Sequence, residues 1–264
     1  MDTNFLVVDW DYFFPNPVEA GTYERRGWHL YDWSHSETSF YINTIWASRL
    51  LAFVMEGVEP PRAVAPEGGW EAWWDRFTFE PDIPLIICDS NAWAGLERDP
   101  EDGTAFQSVW LYDAHHDSGY PPAEWPPQSG FFECEDWMLQ HAQAGTEFDQ
   151  LHVRYPIWRQ NALGEPTPPI PVDRAFDDGS SPPIKFHTVL ACRSGAWVPP
   201  WCDDQFMDFV NAYPGEIEQV DEVDLVREFD IEAVRVQATY LNDQMGNLSK
   251  ANAHLFGKND LMDP

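Results

Sequence analysis

The sequence predicts an α/β protein built on a mostly parallel sheet, in a single domain that spans residues 1–264. Several short apolar runs are followed at once by polar or acidic residues, and stretches with helical periodicity lie between them. Continuous apolar runs are typical of strands that are buried on both faces. Polar residues that follow such strands gather at the carboxyl edge of a parallel sheet, which is where open α/β sheets place their functional sites.

Each predicted element has its own signal. The apolar runs predict strands at 5–8, 83–87, 109–112, 151–153 and 187–191. Helical spacing of apolar residues predicts helices at 41–55, 137–144, 206–212 and 223–236. Proline-rich stretches near 120–130 and 164–183 are predicted to be loops.

The charge and cysteine content exclude some classes of function. With 15 basic and 45 acidic residues the net charge is −30, which disfavours nucleic-acid binding and favours a cationic partner, although most of the acids are expected to be solvated surface. The 4 cysteines fit no zinc motif, so reduced thiols in the cytoplasm are expected. No apolar run is long enough to cross a membrane. The oligomeric state cannot be read from the sequence.

Two carboxylates and an imidazole follow the predicted strand at 109–112, namely Asp113, His115 and Asp117. If the strand continues through them, residues two apart point to the same side, and the three side chains converge. Oxygen ligands with one nitrogen suit Mn²⁺ and, less specifically, Fe²⁺ or Zn²⁺. We therefore predict a metal site here, with incidental surface residues as the alternative.

Asp9 and Asp11 repeat this spacing after the first predicted strand. Such a pair of carboxylates at a strand end can bridge two metal ions, with one carboxylate shared and one terminal. A parallel sheet can place the first strand beside the strand that ends at Asp113. We predict that both pairs of acids form one site, with ordinary strand-end acids as the alternative.

The segment from Asp113 to Asp117 resembles the DxHxD signature of the arginase and deacetylase superfamily, also called ureohydrolases. The closest resemblance is to a branch that includes peptide arginases, because of the aromatic residues that follow Asp11 and the acid-Trp element at 134–137. The resemblance implies a three-layer sandwich with two Mn²⁺ ions. In this sequence the DxD precedes DxHxD, and Asn91 stands near the place where the family has a histidine ligand, which puts one metal position in doubt.

The resemblance also implies a reaction, the hydrolysis of a C–N bond in a cationic substrate. The expected substrate is an arginine side chain in a peptide, converted to ornithine and urea during peptide modification, as in RiPP biosynthesis; a free guanidino compound or an acylated amine is the alternative. Asp117 is a candidate for moving a proton. His141 is either a second proton carrier or a structural histidine. The candidate substrate-binding residues are Asn91, Glu133, Glu135 and Asp136.

Two other functions fit parts of the sequence. A Mg²⁺-dependent phosphatase similar to the haloacid dehalogenases is one of them. Its residues would be Asp9 as nucleophile, Asp11 as acid and base, Ser90 for phosphate, Lys185 as charge partner, and Asp203 and Asp204 for the metal. An acidic binding module without a metal is the other alternative, and it would recognise a basic partner.

Overall fold

The computed structural model describes residues 3–15, 39–57, 59–100, 103–126, 133–161, 165–220 and 227–256. Where the sequence predicts a single domain, the chain's contacts fall into two compact units. One consists of Met1–Thr38 and Pro61–Arg227, and the other of Ser39–Pro60 and Glu228–Pro264. Within the described ranges, no helix combines the length and apolar character needed to cross a bilayer.

The described strands of the first unit form two sheets. Seven of them lie in one sheet in the order β6-β5-β4-β1-β8-β3-β9, with every pair parallel, and β2 pairs with β7 separately. The strands are β1 (Asn4–Asp9), β2 (Thr78–Phe79), β3 (Leu85–Cys88), β4 (Ser108–Tyr112), β5 (Leu151–Tyr155), β6 (Asp173–Phe176), β7 (Lys185–Phe186), β8 (Thr188–Cys192) and β9 (Ile217–Gln219).

The parallel sheet confirms the α/β class, and the five predicted strands are all present as β1, β3, β4, β5 and β8. Every residue of β1, β3 and β8 is buried, which is why these strands appear in the sequence as unbroken apolar runs. The strands that the sequence did not predict are short, and every residue of the two at the sheet edges, β6 and β9, is exposed. An exposed edge strand has no apolar pattern by which it could be recognised.

The described helices are α1 (Ser39–Glu56), α2 (Gly69–Trp74), α3 (Met138–Ala144), α4 (Asp203–Asn211) and α5 (Ile231–Phe256). Helices α2, α3 and α4 belong to the first unit, and α1 and α5 pack against each other in the second. The predicted helix at 223–236 begins only at Ile231, and its positions 223–226 lie outside the described residues.

Helices cover both faces of the large sheet. On one face, Phe5 and Val7 of β1 and Leu111 of β4 pack in a hydrophobic core with Met138 and Leu139 at the start of α3. Since side chains alternate along a strand, the next residue of β4, Tyr112, faces the opposite side.

On that opposite face the core is aromatic. The Tyr112 ring lies 5.3 Å from the Trp73 ring of α2, measured between ring centroids. Trp74 of α2 stacks on Phe209 of α4 at 4.6 Å, and its indole N–H donates to the Phe209 carbonyl. Packed side chains thus cover both faces of the sheet and fix the position of its carboxyl edge.

The predicted loop at 164–183 was wrong in part, because it contains β6. This strand pairs with β5 at the sheet edge, and its polar sequence gave no strand signal. In the predicted loop at 120–130, residues 120–126 are turn and irregular backbone, and 127–130 lie outside the described residues.

Candidate metal centre

The candidate site lies at the carboxyl edge of the sheet, where the neighbouring strands β4, β1, β8 and β3 end. Asp9 is the last residue of β1, and Asp113 directly follows β4. Val8 of β1 is in register with Tyr112 of β4, so the two acids come next to each other on adjacent strands. The prediction that the first strand lies beside the strand ending at Asp113 is therefore confirmed.

The segment 113–117 is a series of bends and not a continuation of β4, so the strand alternation expected from the sequence was wrong. Instead, the Asp113 carboxylate accepts a hydrogen bond from the His115 backbone N–H at 2.7 Å. Asp117 has a left-handed backbone, with φ of 44°, which is uncommon for a residue other than glycine. These bends turn the side chains back toward the sheet edge.

The second motif is bent in a similar way. Asp11 lies in a 3-10 turn that starts directly after β1, and its backbone N–H donates to the Asp9 carboxylate at 3.1 Å. The Asp11 carboxylate in turn accepts from the Ala114 backbone N–H at 3.0 Å. Backbone groups thus tie the two motifs together and fix the direction of their carboxylates.

Two groups of side chains could each hold a metal ion, and they share Asp113. We call the group of Asp11, Asp113 and His115 the imidazole position, and the group of Asp9, Asp113 and Asp117 the oxygen position. Within each group the candidate ligand atoms all lie within 4.8 Å of one another, and every member is buried. The five predicted metal ligands are therefore brought together, with one carboxylate between two positions.

Several buried polar atoms of this cluster lack a hydrogen-bond partner in the described part of the chain. They are Asp113 Oδ2, His115 Nε2 and Asn91 Oδ1. A buried polar atom without a partner is costly, so native proteins rarely keep several at one place without a ligand. A cation among these oxygens would remove that cost, and the residues present therefore fit a metal.

The carboxylates are too close to ionise independently. Burial raises the pKa of Asp9 and of Asp113 well above the ordinary value, and the surrounding carboxylates raise each further. Burial also raises the pKa of Asp117 to about 7, although His115, Trp137 and Asn91 act in the opposite direction. Without a metal ion the cluster retains protons, as expected where carboxylates share a buried site.

Asp11 and His115 form an ion pair inside the cluster, with His115 Nδ1 2.8 Å from Asp11 Oδ2. Burial alone would raise the pKa of Asp11, but the neighbouring imidazole, together with hydrogen bonds from Asp113 and the Ala114 backbone N–H, lowers that pKa overall. Burial likewise disfavours the imidazolium, yet Asp11 keeps the pKa of His115 above its ordinary value. The His115 ring also packs on Trp197, with ring centroids 4.7 Å apart. The imidazole is thus held in one orientation.

Asp117 is fixed by two donors on the same oxygen. Both the Trp137 indole N–H and the Asn91 amide donate to Asp117 Oδ2, each at 2.9 Å. The Asn91 amide also donates to Asp9 Oδ2 at 2.5 Å. Asn91, predicted as a substrate-binding residue, is therefore buried in the cluster beside the oxygen position. Trp137, part of the acid-Trp element that carried the resemblance, acts as a positioning group.

Glu165 is a buried acid beside the cluster that the sequence analysis did not find. It accepts hydrogen bonds from the hydroxyls of Tyr120 and Tyr155 and from the His116 backbone N–H. Burial opposes ionisation, but His116, His115 and Arg159 lower the pKa of Glu165, so the group is a carboxylate. It ties the proline-rich stretch to the bends at 113–117. A single acid in a loop carries no local signal by which it could have been predicted.

The remaining predicted site residues lie around α3. His141 is in the hydrophobic core beside Phe5 and Phe106, and its Nε2 is 2.8 Å from the Ala94 carbonyl oxygen. Burial lowers the pKa of His141 to about 4, which keeps the ring neutral. These contacts favour the structural role, and His141 has no part in the mechanism proposed below.

The acids Glu133, Glu135 and Asp136 precede α3, and Glu133 is exposed. The Glu135 carbonyl accepts from the Gly119 backbone N–H at 3.1 Å, which places this acidic segment next to the bends that carry Asp117. The Asp136 carboxylate accepts from the Glu133 backbone N–H at 2.6 Å and so closes the turn before the helix. That bond makes Asp136 a local turn former.

A buried ion-pair network borders the cluster on the side of β3 and β8. Arg193 follows β8 and contacts the Asp89 carboxylate through Nε at 2.6 Å and Nη2 at 2.7 Å. Asp203 is 3.5 Å from Arg193 Nη1 and is held by Arg227 at 2.6 Å. All four residues of this network are buried or half-buried. Because its carboxylate contacts two arginines, Asp203 is not part of the cluster of candidate metal ligands.

Comparison with protein-family models, curated proteins and solved structures finds no match to this chain. What the structure itself defines is therefore a class: a parallel α/β protein with a buried carboxylate and histidine cluster suited to metal binding at the carboxyl edge of its sheet.

Proposed function

We propose that the chain is a metal-dependent hydrolase with two divalent ions, held at the imidazole and oxygen positions and bridged by Asp113. The observation that carries this proposal is that Asp113 belongs to both groups of candidate ligands, within 4.8 Å in each. A shared carboxylate between two ion positions is the arrangement of hydrolases that use a pair of metals. The proposed ions are two Mn²⁺, which suit carboxylate ligands with a single imidazole.

We further propose that the fold is of the arginase and deacetylase type and that the reaction is the hydrolysis of a guanidino group. Support comes from the DxHxD resemblance and from the convergence of Asp9 and Asp11 on the same site. In the reaction, a bond forms between the water oxygen and the guanidinium carbon. The bond from that carbon to the side-chain nitrogen breaks, and a proton passes to the departing amine. An arginine residue then becomes ornithine, and urea is released.

Bound divalent ions would supply the nucleophile, because they lower the pKa of water to near neutrality. The chain's own residues supply orientation. Trp137 and Asn91 hold Asp117 by two hydrogen bonds, and Asp11 and Trp197 hold His115. Such fixed partners maintain ligand geometry, and their loss typically costs about 10- to 100-fold in metal affinity or activity.

A cationic substrate fits the charge of the molecule. The net charge of −30 raises the local concentration of cations. The carboxylates proposed to receive the guanidinium are those of Glu133 and Glu135, since their segment lies beside the bends at 113–117. A guanidinium presents several donors in one plane, which carboxylates satisfy in pairs. The proposed partner is therefore an arginine-containing peptide.

The residues that the phosphatase alternative requires do not all lie together in the fold. Lys185 lies in β7 just before β8, whereas Asp9 is in register with Cys192 at the far end of β8. Lys185 also pairs with Glu80 at 2.9 Å. Its ammonium is thus at the opposite edge of the sheet from Asp9, and Asp203 is held by Arg227. A phosphate held by Lys185 would be out of reach of an Asp9 nucleophile.

The test is to incubate the Mn²⁺-loaded protein with peptides that contain arginine, lysine or acetyl-lysine, and with free arginine. Urea and the peptide mass are then measured. We expect urea and conversion of arginine to ornithine, with no change in the lysine peptides. The matched control is Asp113→Asn, which should be folded by circular dichroism and release no urea.

Each alternative has its own outcome. Deacetylation without urea would move the proposal to the deacetylase branch. Mg²⁺-dependent release of phosphate from a phosphoester, with no urea from any substrate, would favour the phosphatase. A protein that binds no metal and retains basic peptides would be the acidic binding module.

A further inference from the structure

The two ion positions differ in ligand chemistry. The imidazole position has two carboxylates and the ring of His115, whereas among the described residues the oxygen position has only carboxylates, those of Asp9, Asp113 and Asp117. Imidazole suits ions of intermediate softness such as Zn²⁺, while hard ions such as Mg²⁺ and Mn²⁺ accept oxygen ligands alone. The same centre therefore offers two different ligand environments, which are joined by the shared carboxylate of Asp113.

Asn91 is the residue that completes the oxygen position. It is 2% exposed, and its amide nitrogen lies 2.5 Å from Asp9 Oδ2 and 2.9 Å from Asp117 Oδ2. Its carbonyl oxygen is buried and has no partner in the described part of the chain. The amide therefore spans the two carboxylates that belong to the oxygen position alone.

A half-turn of the Asn91 amide exchanges its oxygen and nitrogen without moving the rest of the side chain. An amide oxygen so close to two carboxylate oxygens is electrostatically unfavourable by itself, and it becomes favourable when a cation lies among them. Asn91 can thus serve the protein in both states: it donates to the carboxylates when no ion is bound and adds a neutral oxygen ligand when one is.

We propose that Asn91 makes the two positions selective for different ions. The affinity for Zn²⁺ differs strongly between the two positions, whereas the affinity for Mn²⁺ does not. This inference rests on the two-ion centre of the proposed function. The imidazole position takes Zn²⁺ first, and the oxygen position takes a hard ion, Mn²⁺ or Mg²⁺. With Mn²⁺ alone, both positions fill.

Two reciprocal substitutions isolate the effect. Asn91→His gives the oxygen position an imidazole, so the weaker Zn²⁺ step should tighten while the Mn²⁺ steps change little. His115→Asn removes the imidazole of the imidazole position, so the tighter Zn²⁺ step should be lost. Asn91→Asp is the control, because it keeps the shape of the side chain and adds an oxygen instead of a nitrogen.

The measurement is the pair of stepwise dissociation constants for Zn²⁺ and for Mn²⁺ in each variant, obtained by competition with a chromophoric chelator. In the wild-type protein the ratio of the two Zn²⁺ constants should exceed the ratio of the two Mn²⁺ constants by roughly tenfold or more. Asn91→His should bring the Zn²⁺ ratio close to the Mn²⁺ ratio. If that variant does not fold, His115→Asn makes the same comparison from the other position.

A spectroscopic measurement gives an independent result. Protein with one equivalent each of Zn²⁺ and Mn²⁺ should show the electron paramagnetic resonance spectrum of isolated, protein-bound Mn²⁺. Random filling would instead give spin-coupled Mn²⁺ pairs in a fraction of the molecules. If two ions bind and the ratio of the two stepwise dissociation constants is the same for Zn²⁺ as for Mn²⁺, the inference is overturned and the proposed function remains intact. Fewer than two ions of any kind would overturn both.

Discussion

Replacing Asp113, the carboxylate common to both candidate ion positions, by asparagine should make the metal-free protein more stable and remove its response to metal. Asp113 faces carboxylates of both positions, and burial together with these neighbours raises its pKa. Asparagine has the same shape and can still accept the His115 N–H bond. It carries no charge, however, and its amide can donate to the neighbouring carboxylates.

The size of the effect follows from the spacing of the oxygens. At an effective dielectric constant of about 20, two ionised carboxylates at 4.8 Å repel each other by about 3.5 kcal/mol. Removing one such pair corresponds to a rise of roughly 7 to 14 °C in the melting temperature of a domain of this size. The metal-free protein partly relieves the repulsion by retaining protons, so the gain should grow as the pH rises.

The assay is thermal unfolding followed by tryptophan fluorescence at pH 8, in chelator and in Mn²⁺. The wild-type protein should gain about 2.7 kcal/mol for each bound ion when the free ion is a hundredfold above the dissociation constant of that position, and Asp113→Asn should gain nothing. Asp208→Asn, an exposed acid on α4, is the matched control and should behave like the wild type. Lower stability of Asp113→Asn in chelator, or an unchanged response to Mn²⁺, would refute the reasoning.

Three further predictions concern the surroundings of the centre. In chelator, Asp117 should favour the folded state at acidic pH and lose that contribution as the pH rises from about 4 to 7. Its pKa is raised to about 7 in the folded protein, so the folded state binds the proton more tightly; urea unfolding at pH 5 and 8 should therefore differ less in Asp117→Asn than in the wild type. Glu165→Gln should cost about 1–3 kcal/mol in urea unfolding, because an amide cannot accept all the hydrogen bonds of the carboxylate, whereas the exposed control Glu147→Gln should change stability by less than about 0.5 kcal/mol. His141→Asn should reduce stability and leave urea release nearly unchanged; a loss of about a hundredfold in rate with normal metal content would instead identify a proton carrier.

The five candidate metal ligands could be predicted because strand-end motifs carry a strong local signal. Unbroken apolar runs identified β1 and β4, and the acids that follow them identified the edge of the sheet at which they would meet. The pairing of β1 with β4 then brought Asp9 and Asp113 together as expected. The reason given for the convergence within 113–117 was nevertheless wrong, since backbone bends and not strand alternation direct those side chains.

The groups that hold the ligands could not be predicted in the same way. Trp197 packs on His115, and Glu165 accepts hydrogen bonds from the hydroxyls of two tyrosines, yet each is a single residue in a loop. Which loop residues reach a site depends on how distant segments pack, and no periodic pattern encodes that. Asn91 was selected from the sequence, but its place between Asp9 and Asp117 was visible only in the structure.

The sequence by itself determined the parallel α/β class, the buried strands and the ligand types, because these depend on apolar runs and on residues adjacent to them in the chain. The tertiary structure decided that Asp113 belongs to both candidate positions, that one of them has no imidazole among the described residues, and that His141 lies in the core. These features depend on distances of a few ångströms between residues far apart in sequence. Such distances are set by the order of strands in the sheet and by the packing of side chains, which local patterns do not specify.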